Sequence, residues 1–278
     1  MISKVFLKTH GRLTALVLAL VFAVIGGAAL FAKGSGEAKK AVEQQNEPVT
    51  ILVAAAASLK NAYDGELIPQ FQAKYPWITV SGTYDSSGKL QTQIENGLEA
   101  DVFMSAAVRQ MDELVGKGYI DQAAVDYLLQ NKLVLIKPAG AATTVTGFAD
   151  ITKAKIVAIG DPKSVPAGQY AEEALKKLGL WDKLPEASKS LGTNVTEVLN
   201  WVGSGSAEVG IVYATDAAST DKVTVIETLG DGILSAPVIY PIATLKNASH
   251  PEAAKIFVDF LGSDAGLAVF RKYGFSKN

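Results

Sequence analysis

Short runs of β-branched and aliphatic residues alternate along the chain with stretches whose apolar positions recur every three to four residues. The runs predict strands over residues 50–55, 78–84, 102–105, 132–137, 156–159, 209–213, 223–228 and 238–245. Between them, Leu90 and Ile94 lead to Gly97, Met111, Leu114 and Val115 lead to Gly118, and Ala171, Ala174, Leu175 and Leu178 lead to Gly179. Each of these sets has helical spacing and a glycine where a helix stops. Gly65 and Pro69 interrupt the pattern after Ser58, which predicts a short helix to about residue 64 and a second over 66–75. His250-Pro251 opens a further helix with Ile256, Phe257, Phe260 and Leu261 on its buried face, and residues 265–273 form the last. Strands and helices in this order predict an α/β fold with parallel sheets covered by helices on both faces, whose ligands bind beyond the carboxyl ends of the strands.

The first 47 residues stand outside that pattern. Lys4, Lys8 and Arg12 precede an uncharged stretch from Leu13 to Ala32, and a polar segment follows. This is the layout of an export signal over residues 1–34 and a spacer over 35–47. The apolar stretch is also long enough to span a bilayer, so an uncleaved anchor through residues 13–32 is the alternative, and either way the expected location is periplasmic or otherwise extracytoplasmic. The chain has no cysteine, which excludes lipid attachment through a cysteine, disulfides and thiolate metal sites.

Charge narrows the partners. The full chain carries 26 basic and 28 acidic residues, and loss of the four basic residues in positions 1–34 leaves 22 against 28, a net charge of −6. A balance of that sign argues against nucleic acid and against anionic lipid. Any anion site here must rest on local dipoles. Only two histidines occur, His10 in the export segment and His250 before a helix proline, so a Ser-His-Asp triad and a histidine-rich metal site are both excluded from the expectation. Asp101, Asp161 and Asp216 sit at turns and strand edges, where Asp ordinarily bonds nearby backbone N–H groups.

What remains is a set of strand-to-helix turns rich in small and hydroxylated residues. Residues 51–57 run into Ser58-Leu59-Lys60, and residues 78–84 run into Ser86-Ser87-Gly88-Lys89. Val165-Pro166-Ala167-Gly168 and Gly192-Thr193-Asn194-Val195 open two later helices. A helix start presents unpaired N–H groups and a partial positive charge, so hydroxyls there complete a pocket for a small anion. Serine at such a position also serves simply as a cap. Four such turns without a catalytic set favour binding over turnover. Tyr213 closes the strand at 209–213 and is either a packed core residue or a further donor.

Taken together, these segments resemble the periplasmic molybdate-binding proteins of ABC transporters. The residues that carry the resemblance are Ala55-Ala56-Ala57-Ser58-Leu59, Ser86-Ser87-Gly88-Lys89-Leu90, Ala100 to Ala106, Gly160-Asp161-Pro162, Val165 to Ala171, Gly210-Ile211-Val212-Tyr213, Tyr240-Pro241-Ile242-Ala243 and Tyr273-Gly274-Phe275. They run in order through residues 48–275. Two departures stand out: Ala107 where an acidic residue commonly follows Ser-Ala, and Gly88 where some members have a third serine.

The resemblance implies a two-lobed periplasmic-binding-protein-like fold of type II with two crossover hinge strands, near 132–137 and 238–245. Lobe 1 is then 48–133 with 240–278, and lobe 2 is 134–239. It also implies that Ser58 and Ser87 bind molybdate by hydroxyl and N–H, Ala167 and Val195 by backbone N–H, and Tyr213 by its phenol, with Ser86 the alternative to Ser87. Tungstate is expected as a second ligand, an ABC permease as the partner, a monomer as the state, and no cofactor. Such a site offers donors alone, which suits a bare dianion and disfavours hydrogen phosphate, because a protonated oxyanion needs an acceptor. The alternatives are a binding protein for sulfate or a carboxylate-bearing solute walled by Tyr84 and Tyr170, or a Ser-Lys hydrolase built on Ser58 with Lys60 or Ser87 with Lys89. Residues two apart on a helix do not face each other, which counts against the last.

Overall fold

A computed structural model describes residues 47–278. The export segment and all of the spacer but Glu47 lie outside the described residues. In chain order the rest forms β1 (Val49–Ala56), a helical stretch over residues 57–74 that contains α1 (Lys60–Ala62) and α2 (Ile68–Lys74), β2 (Ile78–Asp85), α3 (Ser87–Glu95), β3 (Val102–Met104), α4 (Val108–Gly116), β4 (Asp126–Asn131), β5 (Leu133–Pro138), β6 (Val157–Gly160), α5 (Pro166–Lys177), β7 (Lys189–Gly192), α6 (Val195–Gly203), β8 (Val209–Tyr213), α7 (Ala214–Ala218), β9 (Val223–Thr228), β10 (Val238–Thr244), α8 (Pro251–Gly262), α9 (Asp264–Lys272) and β11 (Ser276–Lys277).

These elements build two sheets, one per lobe. The first has the order β11-β4-β10-β3-β1-β2 and the second β7-β6-β8-β5-β9. The chain leaves the first sheet at Lys132, between β4 and β5, and returns between β9 and β10. The middle of each sheet is apolar on both faces, as its helix layers require: Ile51, Val53, Ala54 and Ala55 of β1 and Val209, Ile211 and Val212 of β8 have no exposed surface.

The sheets are mixed rather than parallel throughout. β1 pairs in parallel with β2 and β3, and β6 with β7 and β8, but β10 runs antiparallel to β3 and β4, and β5 antiparallel to β8 and β9. The antiparallel members flank the crossings, because a strand arriving from the other sheet enters from the opposite end. Strands β4, β7 and β11 were not among those the hydrophobic pattern predicts. β7 reads Lys-Ser-Leu-Gly on a sheet edge, and β11 is two exposed residues. Neither carries a periodic signal.

The break expected between residues 64 and 66 is absent. Helical geometry continues from 57 to 74, and a π turn over Tyr63–Leu67 carries it through Gly65 toward Pro69, with the Ile68 N–H returning to the Tyr63 carbonyl. Leu59, Tyr63, Leu67 and Phe71 thereby share one buried face. That face packs against α8, with Phe71 and Phe257 edge to face at 4.9 Å, and so fixes the turn that carries Ser58.

Candidate anion-binding site

Each expected site residue stands at the carboxyl end of a strand. Ser58 lies in the 3₁₀ turn Ala57–Leu59 after β1, Ser87 is the first residue of α3 after β2, and Tyr213 ends β8. Ala167 is the second residue of α5, in the connection from β6, and Val195 is the first of α6 after β7. Gly168 lets α5 begin this close to β6, since a Cβ there would run into the Gly160 carbonyl.

The ends of the two sheets face each other and touch. Gly88 donates its N–H to the Ser164 carbonyl at 3.0 Å, which sets the start of α3 beside the start of α5. Asn194, the cap of α6, donates from Nδ2 to Asp85 Oδ1 at 3.2 Å, which sets α6 beside α3. Gln110 Nε2 donates to Gln169 Oε1 at 3.1 Å across the same divide.

Two hydroxyls from the first lobe are engaged by groups behind them. Ser87 is wholly buried, and its Oγ accepts the backbone N–H of Ala106 at 2.9 Å. Ser58 Oγ lies 2.9 Å from the Tyr240 phenol, which accepts from Asn131 Nδ2 at 3.2 Å. Neither serine acts as a conventional side-chain cap. Ser86 occupies the cap position of α3 without capping it, and its buried Oγ has no hydrogen-bond partner among the described residues.

Tyr213 ties the second lobe to this arrangement. Its hydroxyl donates to the Ala106 carbonyl at 3.3 Å, so the N–H and C=O of one residue engage Ser87 and Tyr213. At that length the bond is weak and readily exchanged for a better acceptor. The Tyr213 and Tyr240 rings meet edge to face at 5.6 Å. Burial pushes both phenols well above their ordinary pKa, so each keeps its proton and remains able to donate. The Ala167 and Val195 N–H groups belong to first turns, where intrahelical bonding begins only with Gln169 to Val165 and Val198 to Asn194.

The lysines beside the two serine turns are engaged elsewhere. Lys60 pairs with Asp64 and sits over the Tyr84 ring at 4.8 Å, and Lys89 pairs with Asp85 at 3.4 Å. Asp85 also accepts the Ser86 N–H at 2.8 Å. A recess of about 600 Å³ lined by Ser58, Asn61, Thr215 and Tyr273 among others opens beside Ser58, and the other four expected site residues do not line it.

Sequence reasoning assigned no role to Tyr240, Asn131 or Ala106. Tyr240 carried a signal, a phenol inside an otherwise aliphatic strand, whereas Ala106 acts through its backbone and has none.

Comparison with known proteins gives three findings. Residues 51–276 match the family model of bacterial extracellular solute-binding proteins. The chain is 36% identical to the molybdate-binding protein ModA of Escherichia coli over 81% of its own length and 88% of the relative's, and 35% identical to ModA of Haemophilus influenzae over 81% and 89%. Its fold superposes on the periplasmic molybdate-binding protein of Azotobacter vinelandii with a TM-score of 0.71, at 22% identity, covering 81% of this chain and 98% of that one.

Proposed function

Because the chain belongs to the bacterial extracellular solute-binding proteins and is homologous to the molybdate-binding components of ABC transporters, we propose that it captures molybdate, and tungstate with it, between its lobes and hands the anion to a membrane permease. It is a binding protein rather than an enzyme, as its relatives are. In this reading it works outside the cytoplasm as a monomer.

One observation carries the ligand assignment. Contacts across the ends of the two sheets bring the starts of α3, α5 and α6, the Ser58 turn and the Tyr213 phenol beside one another, while the neighbouring lysines are paired to carboxylates. Ser58 and Ser87 bind by hydroxyl and N–H, Ala167 and Val195 by N–H, and Tyr213 by its phenol. The Ser87 oxygen is already supplied with a donor from behind, which leaves its proton for the anion, and Ser58 Oγ shares a hydrogen bond with the Tyr240 phenol. A tetrahedral dianion has acceptors only and matches a set of donors. Helix dipoles add positive potential without a cation that would prefer water or a carboxylate.

Binding couples to closure. Lobe 1, residues 48–133 with 240–278, and lobe 2, residues 134–239, separate about the two crossings to admit the anion. The contacts at Gly88, Asn194 and Tyr213 form when they meet. Tyr213 then trades its long bond to Ala106 for an anion oxygen.

Titration calorimetry of the mature protein tests this function. Molybdate binds with a Kd in the nanomolar to micromolar range, about −8 to −12 kcal/mol, and sulfate gives no comparable heat. Equal binding of the two ends the molybdate assignment.

A further inference from the structure

We propose that Asn131 is a positioning residue for the anion site: acting through Tyr240, it turns the Ser58 hydroxyl proton away from the protein and toward the ligand. The inference rests on the anion-binding reading above and goes beyond it by assigning the origin of one donor's direction.

The direction follows from which groups can donate. Asn131 Oδ1 faces the backbone N–H of Lys132 at 2.9 Å, and since that partner only donates, the atom facing it must be the carbonyl oxygen. The amide nitrogen therefore points the other way. Its two protons go to Thr215 Oγ1 at 2.9 Å and to the Tyr240 oxygen at 3.2 Å. Tyr240 has no exposed surface; besides Asn131 its oxygen meets Ser58 Oγ at 2.9 Å and the Tyr213 phenol, which is itself a donor there. With its oxygen occupied by the Asn131 amide, the phenol satisfies its single proton only by donating to Ser58. The Ser58 oxygen then accepts, and the Ser58 proton is left to point outward.

The opposite polarity, with Ser58 donating to Tyr240, would strand the phenol proton in a fully buried position and present an oxygen lone pair to the anion. Both consequences are costly. Ser87 has its polarity set the same way by the Ala106 N–H, but through a backbone group that substitution does not remove. At Ser58 the relay runs through side chains, and so it is open to a direct test. Asn131 also occupies a telling place. It ends β4 immediately before Lys132, where the chain crosses between sheets, and its second proton reaches Thr215 in α7 beside the other sheet.

A double-mutant cycle on the full mature protein, with molybdate as the titrant, separates positioning from general support. Asn131→Ala in the wild-type background is expected to weaken binding by about tenfold, the scale of one charge-assisted hydrogen bond. In a Ser58→Ala background the same substitution is expected to change affinity by less than about twofold, because the group it acts through is gone. Tyr240→Phe, which keeps the buried ring and removes only the relay oxygen, is expected to give the same pattern, and it carries the test should Asn131→Ala fail to fold. Equal losses in both backgrounds, or no loss in the wild-type background, overturn the relay while leaving molybdate binding intact. A wild-type protein that binds no molybdate overturns the functional reading itself, and the relay with it.

Discussion

Gly88 at the start of α3 and Ser164 before α5 are in backbone contact across the two lobes, N–H to carbonyl at 3.0 Å. A Cβ on Gly88 would lie 2.5 Å from the Ser164 carbonyl oxygen and 2.8 Å from its Cα. Gly88 is an ordinary helical residue, so what it supplies is room and not an unusual backbone angle. Gly88→Ala is therefore expected to hold the lobes apart. Molybdate affinity falls by about tenfold or more in calorimetry, and the thermal midpoint of the ligand-free protein, whose lobes are free to stay open, moves by less than about 2 °C.

The two serines differ in what lies behind them, and each alanine variant should orphan a different buried donor, the Tyr240 phenol or the Ala106 N–H. Ser58 is half-buried and Ser87 fully buried with the Ala106 N–H on its oxygen. Ser58→Ala removes one hydrogen bond to a charged ligand, worth about 1.5–3 kcal/mol, and strands the buried Tyr240 phenol proton, at about 1–3 kcal/mol of ligand-free stability. Ser87→Ala loses affinity on the same scale and in addition orphans a buried N–H, at about 1–3 kcal/mol of stability. Calorimetry and thermal melts on both variants read the loss of affinity and the loss of stability separately.

Tyr213→Phe keeps a buried ring and gives up a hydroxyl whose bond to Ala106 is long. Ligand-free stability is expected to hold within about 1 kcal/mol, and molybdate affinity to fall by about tenfold or more. A melt without ligand and a titration with it read the two effects separately.

Asp216 supplies a pH dependence. Burial lifts its carboxyl from 3.8 to about 7, with the Tyr213 backbone N–H pulling in the opposite direction. Between about pH 4 and 7 the folded protein keeps a proton that the unfolded chain has released. Its contribution to stability is therefore complete below about pH 4 and is lost as pH rises through about 7. Asp216→Asn retains an oxygen for the Tyr213 N–H. Relative to wild type, this variant should gain stability steadily from about pH 4 to 7 and no further above, in denaturant melts across that range.

The central strands were legible because they are buried on both faces and read as continuous apolar runs, and the helix starts because serine, proline and small residues mark them. The hidden parts have physical causes. Pro69 and Gly65 carry helix-breaking signals that a π turn absorbs without breaking the helix. The antiparallel pairing of β5 and β10 follows from where the chain crosses between sheets, and pairing direction leaves no mark in the hydrophobic pattern. Of the proposed site, residue type at helix starts suggested Ser58 and the Ser86-Ser87 pair, whereas the family resemblance implied Ser87 over Ser86 and added Tyr213. Tyr240 and Asn131 lie within strands, where a polar residue reads as an irregularity until the fold brings Ser58 within 2.9 Å of the Tyr240 phenol.

The most direct test of a site that holds a bare oxyanion by uncharged donors is a crystal structure of the tungstate-soaked protein with anomalous scattering. The account predicts one strong peak within hydrogen-bond reach of the Ser58 and Ser87 hydroxyls, the Ala167 and Val195 N–H groups and the Tyr213 phenol, with Lys60 and Lys89 still turned to their carboxylates. A peak gripped chiefly by lysine or arginine, or lying outside the interface of the two lobes, would contradict it.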